Sequence, residues 1–212
     1  MVPTQCGGCG EPGTDWCDEC ARTLTDSPVR LEPRVEIGVP AWALGRYRGT
    51  YRSTLIAMKE HGRRDLIGPL GNALARGIVT LAQWGEIPDG DTLTLVPAPT
   101  RVSAARRRGG DPVAAIARAA AGRLGRRVAV ADALVTSGRA RDSAGLDARA
   151  RVANLSDAVH VRRRFVPRLC TIAGPVVLVD DILTTGATAA QSCRVLAAHD
   201  LHVSTVVVIA AA

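Results

Sequence analysis

Val176-Val177-Leu178-Val179-Asp180-Asp181-Ile182-Leu183-Thr184-Thr185-Gly186-Ala187-Thr188 carries an apolar strand into a turn of small, hydroxyl-bearing residues. The four apolar residues Val176 to Val179 show no polar alternation, which predicts a strand buried on both faces. A helix is expected from about Thr188 to Ala198 and a second strand from Val203 to Ile209, completing a strand–helix–strand unit. Backbone N–H groups at a helix N-terminus attract anions, small residues allow close approach, and three threonine hydroxyls add donors. The run lacks the lysine of a triphosphate P-loop and the G-x-G-x-x-G of a dinucleotide fold. Asp180 and Asp181 could accept hydrogen bonds from ribose hydroxyls while the turn grips a 5′-phosphate. A merely solvated turn at the two aspartates would leave Thr-Thr-Gly-Ala-Thr without a purpose.

Working outward, Thr92 to Val96 predicts another strand, ended by Pro97 and Pro99. Val113, Ile116, Ala117, Ala120 and Leu124 mark an amphipathic helix, with Asp111 and Pro112 as N-cap and first helical residue. Val128 to Val130 is a short strand, and 137–151 reads as a polar, arginine-rich mobile loop. Leu55 and Ile56 open a helix beginning near Arg52, and Leu70, Leu74, Ile78 and Leu81 repeat at helical spacing in the next. Strands alternating with helices predict an α/β fold with a parallel sheet flanked by helices. Ligands of such sheets bind beyond the carboxyl ends of the strands. Pro97, Ala98, Pro99, Thr100 and Arg101 are thus a candidate diphosphate-contacting loop, the plainer reading being a strand terminator.

Four of the six cysteines form Cys6-x2-Cys9 and Cys17-x2-Cys20, separated by seven residues that include Gly10, Pro12 and Gly13. Two such turns supply the four sulfurs of a closed structural zinc site. Disulfides, a redox pair and an iron site are the alternatives. Disulfides need an oxidising compartment, and a redox pair needs a single C-x-x-C before a helix. Residues 1–24 are accordingly predicted to form a small N-terminal zinc ribbon. Residues 25–50, with Pro28, Pro33, Pro40 and Gly38, are predicted to be a linker with one short strand. Cys170 and Cys193 are isolated and read as small apolar packing residues.

The chain has 212 residues, 47% apolar and 22% charged, which excludes a disordered or fibrous class. No apolar stretch approaches the roughly 20 residues a bilayer span needs, and the first residues lack the pattern of a secretory signal. The expectation is a cytoplasmic protein without membrane insertion. The 27 basic against 20 acidic residues leave +7, and Lys59 is the sole lysine. Arginine suits phosphate recognition, although a codon bias toward arginine produces the same excess. Six aromatic residues over the whole length are too few for a single-strand binding platform. Arg106, Arg107 and Arg108 read as a solvated helix face or as charges that neutralise a diphosphate, and Arg139, Arg141, Arg149 and Arg151 as part of a lid or a basic loop. Lys59 reads as surface more than site, and the four histidines have no ligand spacing.

The run 176–188 resembles the 5-phosphoribosyl-1-diphosphate (PRPP) motif of type I phosphoribosyltransferases. Joined to an N-terminal four-cysteine knuckle, it is similar to the ComF family, proteins associated with DNA uptake in competent bacteria. Tyr51 to Lys59 resembles that family's tyrosine-to-lysine helix, Leu95 to Pro99 its strand-end proline loop, and Arg151 with Asn154 its Arg-x-x-Asn element. The resemblance implies a phosphoribosyltransferase-like domain over 51–212, PRPP or ribose 5-phosphate as ligand, and Mg²⁺ held mainly by the ligand's own oxygens. It implies that Asp180 and Asp181 orient the ribose as the catalytic pair, while Thr184, Thr185, Gly186, Ala187 and Thr188 hold the 5′-phosphate. PRPP binding is the expected function, and phosphoribosyl transfer to an unidentified nitrogenous acceptor is the activity such binding would allow. The rival is a non-catalytic DNA-uptake accessory that binds DNA or a helicase-like partner. Two departures favour that rival: Arg108-Gly109-Gly110-Asp111-Pro112 stands where the family shows Arg-Gly-Phe-Asn-Gln, and Ser143 replaces a glutamine before Gly145-Leu146.

Overall fold

The structure is a computed structural model, and it describes residues 4–99, 110–136, 159–169 and 171–212. Its strands are β1 (Val29–Arg30), β2 (Ala41–Ala43), β3 (Leu93–Pro97), β4 (Val128–Val130), β5 (Leu134–Thr136), β6 (Val159–Val161), β7 (Val176–Leu183) and β8 (Thr205–Ala211). Its α-helices are α1 (Asp18–Thr23), α2 (Gly49–Glu60), α3 (Ile67–Gln83), α4 (Pro112–Leu124), α5 (Val166–Leu169) and α6 (Ala187–Ala197), with a 3₁₀ turn at Arg64–Leu66.

Six strands form one sheet in the order β1-β2-β8-β7-β3-β4. All neighbours are parallel except β1 and β2. β7 and β8 occupy the middle, where Val176–Val179 and Val206–Ala210 are continuous buried apolar runs, as a strand segment with neighbours on both edges and layers on both faces requires. Successive residues divide between the faces: Val177, Val179, Val207 and Ile209 join one core cluster with α2, α3 and α4, whereas Val176, Leu178, Val206 and Val208 join a second with α6. The expected α/β class with a mostly parallel, helix-flanked sheet is what the molecule has.

Several boundaries differ from the sequence reading. β7 does not stop at Val179 but runs through Asp180 and Asp181 to Leu183, because β8 continues to pair with it as far as Ala211. The stretch 25–50 carries two strands in place of one, and β2 is fully buried against β8. Prolines in this stretch flank the strands and do not disrupt them, as expected for short segments near a sheet edge. β5 and β6 form a separate antiparallel pair that no local signal announced. The predicted loop 137–151 lies outside the described residues, as do Thr100, Arg101, Arg106, Arg107, Arg108, Ser143, Asn154 and Cys170. The predicted helix start at Asp111 is as expected: its side chain accepts from the N–H of Val113 and Ala114 at 2.9 and 3.2 Å. Cys193 is buried on α6, where burial pushes its thiol up to about 11.

The cysteine-rich segment packs on the main sheet's helices and shares their core. A Cβ on Gly7 would fall 2.5 Å from Leu66, so only glycine lets the backbone sit against that fully buried leucine. Leu24 belongs to the same core cluster as Leu66 and Leu70. Arg63 donates to the carbonyls of Gln5 and Asp15 at 2.9 and 3.2 Å while it pairs with Asp65, and Arg76 donates to the Leu24 carbonyl at 2.7 Å. Among the described residues, no helix is long and apolar enough to cross a membrane.

Candidate functional site

Beyond Val179 the two edges of β7 part company. On one side β8 stays paired out to Leu183, but on the other β3 ends at Pro97, opposite Val179. The Ala98 N–H closes that end by donating to the Val179 carbonyl at 2.7 Å. This leaves a step at the carboxyl edge of the sheet, floored by Asp180 and Asp181 and bordered by Pro97, Ala98 and Pro99. Of the proposed diphosphate loop, the first three residues therefore lie beside the acidic pair, and Thr100 and Arg101 lie outside the described residues.

The turn after β7 is set by Gly186, which caps α6 with a left-handed φ of +87°. Its Cβ position is filled by neighbours, 2.8 Å from Pro33 Cβ and 3.0 Å from the Val35 carbonyl oxygen. The Val35 N–H donates to the Thr185 carbonyl at 2.9 Å, so the segment before β2 clamps the turn from outside. Thr184 and Thr185 are exposed, and Thr185 Oγ1 accepts weakly from the Ala187 N–H at 3.4 Å. A small hollow of about 30 Å³ lies inside the turn, lined by Asp180 and by residues 182–189. The first N–H groups of α6 have no carbonyl partner within the helix and carry the positive end of its dipole. All seven residues expected to hold a ribose phosphate thus sit on one continuous strand–turn–helix.

Lys59 is the residue that sequence reading underweighted. It lies in the last turn of α2, and its Nζ lies 2.7 Å from Asp181 Oδ2, with both side chains largely buried. One signal was available, since Lys59 is the single lysine among 27 basic residues. Arginine cannot substitute readily for a compact point charge held against one carboxylate. Asp180 keeps only a narrow solvent contact. Burial raises its proton affinity first, and the charge of Asp181 raises it further, against the opposing pull of the Asp181 N–H at 2.8 Å and of Lys59.

That imbalance gives a stability prediction. A carboxyl whose native pKa exceeds its unfolded value holds a proton in the folded chain that the unfolded chain has released, so stability falls as pH rises through that window. Asp180→Asn removes the penalty without changing shape. The variant should melt above wild type at neutral pH, by about 2–4 °C for each kcal/mol regained. The gap should close toward pH 3, where both states are protonated. Melting curves across pH that stay parallel for the two proteins would contradict this.

The second cluster is sulfur. Cys6, Cys9, Cys17 and Cys20 place their sulfurs within 4.8 Å of one another, and Cys9 and Cys17 are 3.6 Å apart. Tetrahedral coordination at Zn–S distances near 2.3 Å puts sulfurs about 3.8 Å apart, so the four fit one ion. The Cys17 side chain caps α1, accepting from the Cys20 N–H. Burial opposes ionisation of Cys6, but N–H groups of Cys9, Cys17 and Gly8 point at its sulfur and pull its pKa below the ordinary thiol range. Burial pushes Cys20 the other way. A cation at the centre is what would let all four become thiolates together. The four cysteines can therefore hold a structural metal, with no coordination position left open for chemistry.

No protein-family model matches this chain, and no curated protein matches it in sequence.

Proposed function

We propose that this chain binds PRPP through a type I phosphoribosyltransferase-like fold and transfers its phosphoribosyl group to a nitrogenous acceptor, as a member of the ComF family with zinc at its four cysteines. The observation that carries the reading is the acidic pair Asp180–Asp181 on the sheet step, followed without interruption by the Thr184–Thr188 turn and the N-terminus of α6. The turn supplies backbone N–H groups and hydroxyls to the three oxygens of a 5′-phosphate. Asp180 and Asp181 accept from the ribose 2′- and 3′-hydroxyls, one residue directed by Lys59. The Asp181 carboxylate sets a negative field beside the anomeric carbon, where positive charge develops as the diphosphate departs, so it acts electrostatically and needs no covalent intermediate. Asp180 and Asp181 are the residues that would stand beside a Mg²⁺ brought in with the ligand, and such an ion would supply charge neutralisation to the leaving diphosphate. Pro97, Ala98 and Pro99 border the diphosphate.

The test is thermal stabilisation. A ligand at 100 times its dissociation constant adds about 2.7 kcal/mol to the folded state. For a chain of this size that is a rise of roughly 5–10 °C. PRPP with Mg²⁺ should produce it, and ribose 5-phosphate should produce part of it. Asp181→Asn and Thr185→Val should each weaken binding by about 1–3 kcal/mol, through a lost charged acceptor and a lost hydroxyl respectively. An unchanged melting curve at millimolar PRPP, or variants that respond like wild type, would overturn the reading in favour of the DNA-uptake accessory.

A further inference from the structure

Helix α2 touches both clusters described above, the cysteine sulfurs at its first turn and the acidic pair at its last. At the first turn, Thr50 Oγ1 lies 3.8 Å from Cys20 Sγ. The Gly8 backbone is wedged against the same two side chains, since a Cβ there would fall 2.5 Å from Cys20 Sγ and 3.0 Å from Thr50 Cγ2. At the last turn, Lys59 Nζ meets Asp181 Oδ2 at 2.7 Å. The helical rise from Thr50 to Lys59 is about 14 Å.

The cysteine segment also grips the chain just beyond α2. The Arg63 N–H donates to the Ala57 carbonyl at 3.2 Å, which ties Arg63 to the last turn of the helix, and its guanidinium donates to the carbonyls of Gln5 and Asp15. Leu66 lies fully buried beneath Gly7. The segment thus holds α2 at both ends, while Leu55 and Met58 seat its inner face in the core. The helix needs these anchors. It has 12 residues, no side-chain cap at Arg48 and no acidic residue in its first turn. Gly49, Tyr51, Ser53, Thr54 and Ile56 are weak helix formers, and a helix of this length is marginal alone.

We propose that metal binding at the four cysteines regulates sugar-phosphate binding at the acidic pair, with α2 as the connection between them. The proposal rests on the PRPP reading above. With the cysteine segment folded around its ion, α2 is fixed and Lys59 engages one oxygen of Asp181, leaving the other to accept from the ribose. So short a segment has no sufficient core of its own, so loss of the ion opens it. Both ends of α2 are then released, and Asp181 loses the partner that orients it. Coupling between two binding sites is reciprocal, so the ligand tightens the metal by the factor with which the metal tightens the ligand.

The test measures that factor in the full-length protein, below the melting temperature of the chelated form. PRPP with excess Mg²⁺ should bind the zinc-loaded protein about 10-fold more tightly than the chelated protein. Saturating PRPP should raise the zinc affinity by the same factor, read by competition with a zinc-selective chelator. Lys59→Met should bind PRPP weakly in both metal states, with the ratio between them near one, because the variant has no ammonium left to misplace. Hydrogen exchange gives a readout free of PRPP: chelation should speed exchange of the α2 amides at 57–60 and leave β7 and β8 protected. Equal PRPP affinity with and without zinc would overturn the regulation and leave the PRPP reading in place. A Lys59→Met protein that keeps the 10-fold ratio, or α2 amides that ignore chelation, would overturn the route through α2. Protection lost from β7 and β8 together with α2 would make the metal a general support of the fold and likewise overturn it. Zinc-loaded wild type that binds no PRPP would bring down the PRPP reading, and the regulation with it.

Discussion

Gly186→Val is expected to cut the PRPP-induced melting shift by about half or more and to lower the ligand-free melting temperature as well. Two costs add at this residue. A left-handed φ disfavours any L-residue by roughly 1–2 kcal/mol, and a β-branched one more. The new side chain must also displace Pro33, 2.8 Å from the Cβ position, and the Val35 carbonyl, 3.0 Å away. Pro33 and Val35 sit in the segment that clamps the Thr185 carbonyl, so relief of the clash opens the turn. Ligand affinity should then fall at least 10-fold, since a phosphate cradle depends on several N–H groups converging on one point. Gly186→Ala should show the same direction at smaller size. Gly122→Ala is the control: Gly122 is exposed on α4, nothing lies near its Cβ position, and alanine there should stabilise by about 0.5–1 kcal/mol. A Gly186→Val protein that binds and melts like wild type would show that the turn is neither clamped nor used.

Removal of the metal should have the other large effect. One zinc per chain is expected by elemental analysis, and Cys20→Ser should lose it. Metal binding at four thiolates couples directly to folding, with apparent energies on the order of 10 kcal/mol or more in small structural sites. If the cysteine segment were an independent module, its loss would leave the main transition untouched. The structure predicts otherwise. Leu66 is fully buried beneath Gly7, and Leu24 lies in the core shared by α2, α3 and β7. Chelation should therefore lower the melting temperature of the whole chain and speed proteolysis near Arg63, where the contacts to Gln5 and Asp15 are made. A chelator-treated protein that keeps its main melting temperature would place the segment outside the shared core. Protein that contains no zinc before treatment would remove the metal assignment altogether.

The strand–turn–helix of the candidate phosphate site was legible from residues alone because it is local. A strand, a turn and a helix N-terminus follow one another within 176–188, and each is specified by composition: apolar run, paired aspartates, threonines, glycine. The four cysteines were legible for a similar reason, since two C-x-x-C turns impose their own geometry whatever surrounds them. The parallel sheet followed from strands that lack alternation, and the cap at Asp111 from a side chain that competes for nearby N–H groups.

Tertiary structure decided what depends on partners distant in sequence. β7 outlasts its expected end because β8 offers backbone groups as far as Ala211, and no property of Asp180 or Asp181 announces that pairing. β2 is a buried strand because β8 lies beside it, although its neighbourhood of prolines reads as a linker. Lys59 meets Asp181 across more than a hundred residues of chain, so its role emerges only when α2 packs above the sheet step. Docking of the cysteine segment on Leu66 is likewise invisible in either segment alone. Local pattern specifies which backbone conformations are favourable, whereas burial and ion pairing are set by which surfaces the fold brings into contact.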